Sequence, residues 1–177
     1  MSTSNSGRTV VFSHGKDSEP WGTKITALAA TARGEGYEVE SVDYRGIDSP
    51  TDRISKLSDV CSKLSGELVL VGSSLGGYVA VSAAATLHAR GVFLLAPALY
   101  FPELPPLRQR LLDCPATLVH GWRDDVVPFD QSVRFAREYG AQLHLLDSDH
   151  RLHDQLRFIK YLFEYFLIAL DLPPALK

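Results

Sequence analysis

The residues of this chain that could do chemistry stand in four short stretches. Gly72-Ser73-Ser74-Leu75-Gly76 sets a serine between two glycines, each two residues away. His120-Gly121-Trp122-Arg123-Asp124-Asp125 offers carboxylates, Ser148-Asp149-His150 offers an imidazole, and Ser13-His14-Gly15-Lys16 offers a glycine-bearing loop near the start. A serine hydroxyl, a histidine and an acid together run acyl transfer. The histidine takes the serine proton, the acid orients the ring, and the serine oxygen attacks a carbonyl carbon. A serine projecting from a very tight strand-to-helix turn needs neighbours without side chains, and the pattern G-x-S-x-G meets that need. Ser74 is the middle residue of the five. Ser73 is its rival one place earlier, and either hydroxyl also suits a helix N-cap.

The other roles have rivals as well. His14, His120, His144 and His153 compete with His150 as base. His144 lies inside an apolar run, His14 and His120 precede glycines in loop positions, and His153 follows His150 by one helical turn on a solvated face. Asp125 competes with Asp124, and either also reads as a turn aspartate bonding its own backbone. His150 and His153, with Asp147 or Asp149, raise a metal-dependent hydrolase, although no third ligand cluster matches them, so no metal ligand is assigned. A non-catalytic binding protein on the same scaffold is a further reading, because fold does not dictate function.

The elements that must position these stretches form a rhythm. Short apolar runs lie at Thr9–Ser13, Val39–Asp43, Leu68–Val71, Val92–Ala96, Thr117–His120 and Gln142–Leu146. Such near-continuous runs suit parallel strands buried on both faces. Helices are predicted between them at Trp21–Glu35, Pro50–Leu64, Leu75–Ala89 and Gln131–Tyr139, the last with Asp130 as N-cap, and a final one over roughly His150–Leu170. The alternation predicts a three-layer α/β/α sandwich with a mainly parallel sheet of about six strands. Residues 1–8 read as a flexible tail and 9–172 as one domain. Loops at the C-terminal ends of the strands share one rim, so a nucleophile, an acid and a base follow the third, fifth and sixth strands there.

On Phe12-Ser13-His14-Gly15, Gly72 to Gly77, His120 to Pro128 and Ser148-Asp149-His150, the chain resembles the α/β-hydrolase superfamily, in particular its small bacterial esterase-like members without a cap domain. The likeness runs from Thr9 to about Leu170. It implies Ser74 as nucleophile, His150 as base and Asp124, three residues after Gly121, as the orienting acid. It also implies an oxyanion hole from the backbone N–H groups of Lys16 and Leu75, and no cofactor. The superfamily's two usual N-terminal antiparallel strands have no counterpart before Thr9. The Pro97–Pro115 connection, where larger relatives carry a cap, holds at most a small helix or flap. Tyr100, Phe101 and Trp122 are candidate pocket residues, and the first two fit packing on the sheet edge equally well. The implied reaction is hydrolysis of a small carboxylic ester or thioester, with short acyl groups preferred.

Composition narrows the partners. Of 177 residues, 45% are hydrophobic, and 18 Lys and Arg stand against 21 Asp and Glu, a net charge of −3. That balance gives no electrostatic case for nucleic acid or an anionic membrane. The polar N-terminus lacks the apolar core of a signal peptide, and Cys61 and Cys114 fit no metal or redox spacing, so the expectation is a cytoplasmic protein with reduced thiols. The final helix is apolar around much of its circumference. Its surplus Tyr161, Tyr165 and Ile168 predict a homodimer through that helix.

Overall fold

The apolar runs pair as one parallel sheet. The computed structural model describes residues 7–107 and 112–173. In chain order the elements are β1 (Arg8–Ser13), α1 (Thr23–Gly34), β2 (Glu38–Val42), α2 (Pro50–Cys61), β3 (Glu67–Ser73), α3 (Leu75–Ala84), β4 (Gly91–Leu95), β5 (Ala116–Gly121), α4 (Asp130–Tyr139), β6 (Gln142–Leu146) and α5 (Leu156–Asp171). The strand order is β2-β1-β3-β4-β5-β6, with every pairing parallel. This is the three-layer α/β sandwich expected from the alternation, and the described residues add no cap to it.

The pleat sends alternate side chains to opposite faces. Val11, Leu70, Val92, Leu94 and Leu118 pack with Leu57 of α2, Val79 of α3 and Phe135 of α4. Val10, Phe12, Val69, Val71, Phe93 and Val119 pack with Leu28 of α1 and Ile159, Phe163 and Phe166 of α5. Strand order reverses between β1 and β3, where Ser13 stands beside Gly72. The loops after those two strands therefore open a crevice at the C-terminal rim, the usual ligand position in such sheets.

The element ends depart from expectation in ways that matter for the rim. Residues 1–6 of the expected tail lie outside the described residues, whereas Arg8 opens β1 and the Gly7 carbonyl accepts from Glu67 N at 2.7 Å. The last helix begins at Leu156, not near His150. Asp149 Oδ1 accepts from Arg151 N and Leu152 N at 2.9 and 3.2 Å, and Leu152 is left-handed at φ 59°, so the chain turns before a short 3₁₀ turn over His153–Gln155. His150 consequently sits in a loop, and the shared helix face imagined for His150 and His153 does not exist. Helix α3 stops at Ala84, and His88 turns left-handed at φ 51° ahead of β4. Asp130 is the first residue of α4 rather than its cap; the Pro128 and Phe129 carbonyls take the first N–H groups instead. The described residues of the Pro97–Pro115 connection hold no helix or strand, and the remainder of it, 108–111, lies outside the described residues. No described helix is long and apolar enough to cross a membrane.

Candidate active site

Ser74 connects β3 to α3 with φ 53° and ψ −122°, a conformation that disfavours any residue with a side chain and costs about 1–3 kcal/mol. The surroundings hold it there. Ser74 N donates to Leu95 O at 3.0 Å, and the Ser74 carbonyl accepts from Gly77 N at 2.9 Å and Ala98 N at 3.0 Å. The flanking glycines are required by close approach. A Cβ on Gly72 would stand 2.6 Å from Gly77 Cα, and one on Gly76 would strike the Ser13 carbonyl in β1. The loop after β1 lies against the serine, since a Cβ on Gly15 would be 3.3 Å from Ser74 Cβ. Among the described residues, Ser74 Oγ makes no hydrogen bond, and neither Lys16 N–H nor Leu75 N–H donates to a protein group.

The acid and the base meet across the β5 and β6 loops. His150 Nδ1 lies 2.7 Å from Asp124 Oδ2. A carboxylate can only accept there, so Nδ1 carries the proton and Nε2 is left as a base. The His150 side chain is 20% exposed and that of Asp124 is fully buried. Asp124 Oδ1 accepts from Val126 N at 2.9 Å and Val127 N at 2.8 Å. Burial alone would raise the Asp124 carboxyl. The Val127 N–H, the His150 ring and the Val126 N–H outweigh it and hold the group below its ordinary value, ionised at neutral pH.

A second imidazole completes the carboxylate's shell. His120 ends β5 rather than lying in a loop, and it is fully buried. Its Nε2 faces Asp124 Oδ2 and the Val127 carbonyl, each at 3.0 Å, and Nδ1 lies 2.7 Å from Ser132 Oγ on α4. Two acceptors at Nε2 require a proton there, so Nδ1 accepts from the serine hydroxyl. Asp124 thus receives two imidazole and two backbone donors, and burial lowers the His120 pKa enough to keep the ring neutral. Sequence reasoning set His120 aside; its place four residues before Asp124, at the end of an apolar run, was the available signal. Lys24, in the first turn of α1, was also missed. Burial pushes its ammonium down to about 8, against the pull of Asp124 and Asp149.

The remaining candidates take varied positions. Asp125 is exposed and His144 is half-buried in β6. Tyr100 is bound to α4: its OH lies 3.0 Å from Glu138 Oε2 and Arg134 covers its ring at 3.9 Å. Phe101 is half-buried, and Trp122 is 54% exposed with Nε1 donating to Asp147 Oδ1 at 3.1 Å. Beside His150 a polar cleft of about 260 Å³ is lined by Arg123, Asp149, Arg151, His153 and Asp154. Among the described residues, no three His, Cys, Asp or Glu side chains stand together as a metal site.

Known proteins share this arrangement of elements. The bovine (Bos taurus) palmitoyl-protein thioesterase ABHD10, mitochondrial, is 23% identical over 82% of this chain and 68% of its own length. A putative hydrolase of the α/β superfamily from Xanthomonas campestris pv. campestris superposes with a TM-score of 0.83 at 29% identity, covering 92% of this chain and 99% of that one. A lidless α/β serine hydrolase from Xanthomonas campestris gives a TM-score of 0.75 at 19% identity, over 95% and 84% of the two chains. The model of the alpha/beta hydrolase family matches residues 10–175. With nearly its whole length matched by that model, this chain belongs to the α/β-hydrolase family and is a hydrolase.

Proposed function

We propose that the protein is a serine hydrolase that cleaves small carboxylic esters through an acyl-enzyme. Ser74 Oγ attacks the carbonyl carbon as His150 Nε2 takes the hydroxyl proton, and Asp124 steadies the resulting imidazolium. The carbonyl oxygen gains the electron pair and is held by the N–H groups of Lys16 and Leu75. On collapse the ester C–O bond breaks, and the leaving alkoxide takes the proton from His150. A water, deprotonated by the same nitrogen, then attacks the acyl carbon; the bond to Ser74 Oγ breaks, Oγ takes that proton back from His150, and the acid leaves. The observation that carries this reading is the strained Ser74 turn on the same strand-end rim as a His150–Asp124 pair 2.7 Å apart. The N–H groups of Lys16, next to Gly15 in the loop against Ser74, and of Leu75, neither of which has a protein acceptor among the described residues, support it.

Thioesters are a second substrate class, favoured by the bovine relative, which is named a thioesterase. The two cysteines are free thiols, which suits a reducing compartment such as the cytoplasm. The test is labelling with a fluorophosphonate probe alongside turnover of p-nitrophenyl esters of increasing acyl length. Wild-type protein should label and prefer short acyl groups. Ser74→Ala should do neither while Ser73→Ala keeps much of the activity. Turnover by Ser74→Ala near the wild-type rate would remove Ser74 from the mechanism, and a long-chain preference would contradict the open site.

A further inference from the structure

A buried cation lies beneath the loop that faces Ser74. Arg53, in α2, is 2% exposed, yet it makes no ion pair among the described residues. A buried charge without a contacting carboxylate is expensive; Asp48 and Asp17 attract it from a distance, and its hydrogen bonds hold it in place. Its guanidinium spends its donors on carbonyls. Nε donates to Ile47 O at 2.7 Å, and Nη1 donates to Gly15 O at 3.3 Å and, at 3.5 Å, to His14 O. The guanidinium carbon lies 5.2 Å from the centre of the Tyr44 ring, which takes one face of the charge.

The Gly15 carbonyl is the focus. His14 Nδ1 donates to it at 2.7 Å and Ser18 Oγ at 3.4 Å, in addition to Arg53. The His14 tautomer is set for this, because Nε2 accepts from Tyr44 N at 2.9 Å and leaves the proton on Nδ1. Three donors on one carbonyl fix the plane of the Gly15–Lys16 peptide. In a trans peptide the C=O and the next N–H point in opposite directions. Drawing the Gly15 oxygen toward Arg53 therefore turns the Lys16 N–H the other way, out of a loop that touches Ser74.

We infer that Arg53 is a positioning residue for the oxyanion hole: through the Gly15 carbonyl it aims the Lys16 N–H, and its buried charge stands behind the peptide that meets the developing oxyanion. The inference rests on the serine-hydrolase reading above. A role limited to stapling α2 to the neighbouring loops would weaken the fold and slow every substrate alike. A role in oxyanion binding depends on the atom that takes the negative charge.

The test compares p-nitrophenyl acetate with its thiono analogue, whose sulfur fits an oxygen-sized hole poorly. Arg53→Met should lower kcat for the oxyester by about ten- to a hundredfold with KM little changed, and lower the thionoester rate far less, so that the oxyester preference collapses. Arg53→Lys, which keeps the charge but reaches fewer carbonyls, should fall between. An equal loss on both substrates, or none, overturns the inference. Ser74→Ala, run alongside, separates the two claims: a wild-type protein without Ser74-dependent turnover defeats the hydrolase reading itself, whereas normal turnover with an unchanged preference in Arg53→Met defeats only the role of Arg53. If neither Arg53 variant folds, the wild-type protein decides. On adding phenylboronic acid, which forms a tetrahedral anion on the serine, the Lys16 amide and Arg53 side-chain proton resonances should both shift, and static resonances overturn the inference.

Discussion

At the N-terminal ends of β1, β3 and β4, Arg8 and Arg90 meet Asp171 at the end of α5, and Glu67 meets Arg90. Arg8 Nη1 lies 2.6 Å and Arg90 Nη2 2.9 Å from Asp171, Arg90 also pairs with Glu67, and these side chains are 25–47% exposed. At the opposite ends of the strands, the side chains of Arg53, His14, His120 and Asp124 are buried, and both ring nitrogens of each histidine, both Asp124 carboxylate oxygens and Arg53 Nε and Nη1 have assigned partners. The first set is wetted. Water replaces a lost partner there and salt screens the pairs, so geometry is loosely enforced and each pair contributes little. The second set has given up water. Every lost partner leaves a dry polar group, so the arrangement is rigid. Rigid, dehydrated dipoles are what an acyl-transfer site requires, and the exchangeable ones suffice to tie a helix end to a sheet.

The largest expected effect of breaking this contrast is at the dry end. Asp124→Asn should lower kcat about 10³–10⁴-fold with the fold retained, because the His150 ring loses the acceptor that selects its tautomer. Steady-state turnover of a short ester measures it, and a loss below about tenfold would show that Asp124 does not govern His150.

The next effect is on stability against pH. Burial lowers the pKa of His14, His120 and His144 in the folded protein. The unfolded chain then binds protons first, near pH 6.5, and the folded state resists them. Stability should be full above about pH 6.5 and fall as the pH drops toward the lowered folded values. Asp124 works at a lower pH: its depressed carboxyl adds stability above about pH 3.9 that disappears as the pH falls through its folded value. Urea unfolding at pH 7.5 and 5.5 tests the histidine part, and a flat profile contradicts it.

At the wetted end the effect should be smaller. Arg90→Ala should cost about 1 kcal/mol or less, shrink further in high salt, and leave kcat unchanged. A large loss of activity would mean that the two ends are coupled.

The smallest effect on rate or stability concerns the outer face of α5. Phe158, Tyr161, Tyr165 and Ile168 recur at spacings of three and four and are 46, 56, 60 and 45% exposed. The homodimer through this helix stays our proposal. Light scattering at tens of micromolar protein should give the mass of a dimer, and Tyr165→Asp should halve it without changing kcat. A monomeric wild type defeats it.

What the amino-acid order determined by itself was whatever depends on local apolar periodicity and on spacing along the chain. The six strands lie within two residues of the apolar runs, because in β1, β3, β4 and β5 burial on both faces demands a nearly uninterrupted run, while the edge strands β2 and β6 are only partly buried. The Gly72-Ser73-Ser74-Leu75-Gly76 turn was legible because close approach of β1 and α3 tolerates no side chain at the glycines. Helix ends were less legible, since the turn at Asp149 and the left-handed Leu152 depend on one side-chain oxygen capping two N–H groups. What only the tertiary structure decided was which polar residues are buried and against what. Arg53 and Lys56 are alike as cations on one helix, yet the reversal of strand order brings the loops after β1 and β2 together over Arg53 alone, and His120 became a support for Asp124 only when β5 carried its ring beneath the turn that follows. Burial and partner choice are properties of segments distant in sequence, and no local pattern encodes them.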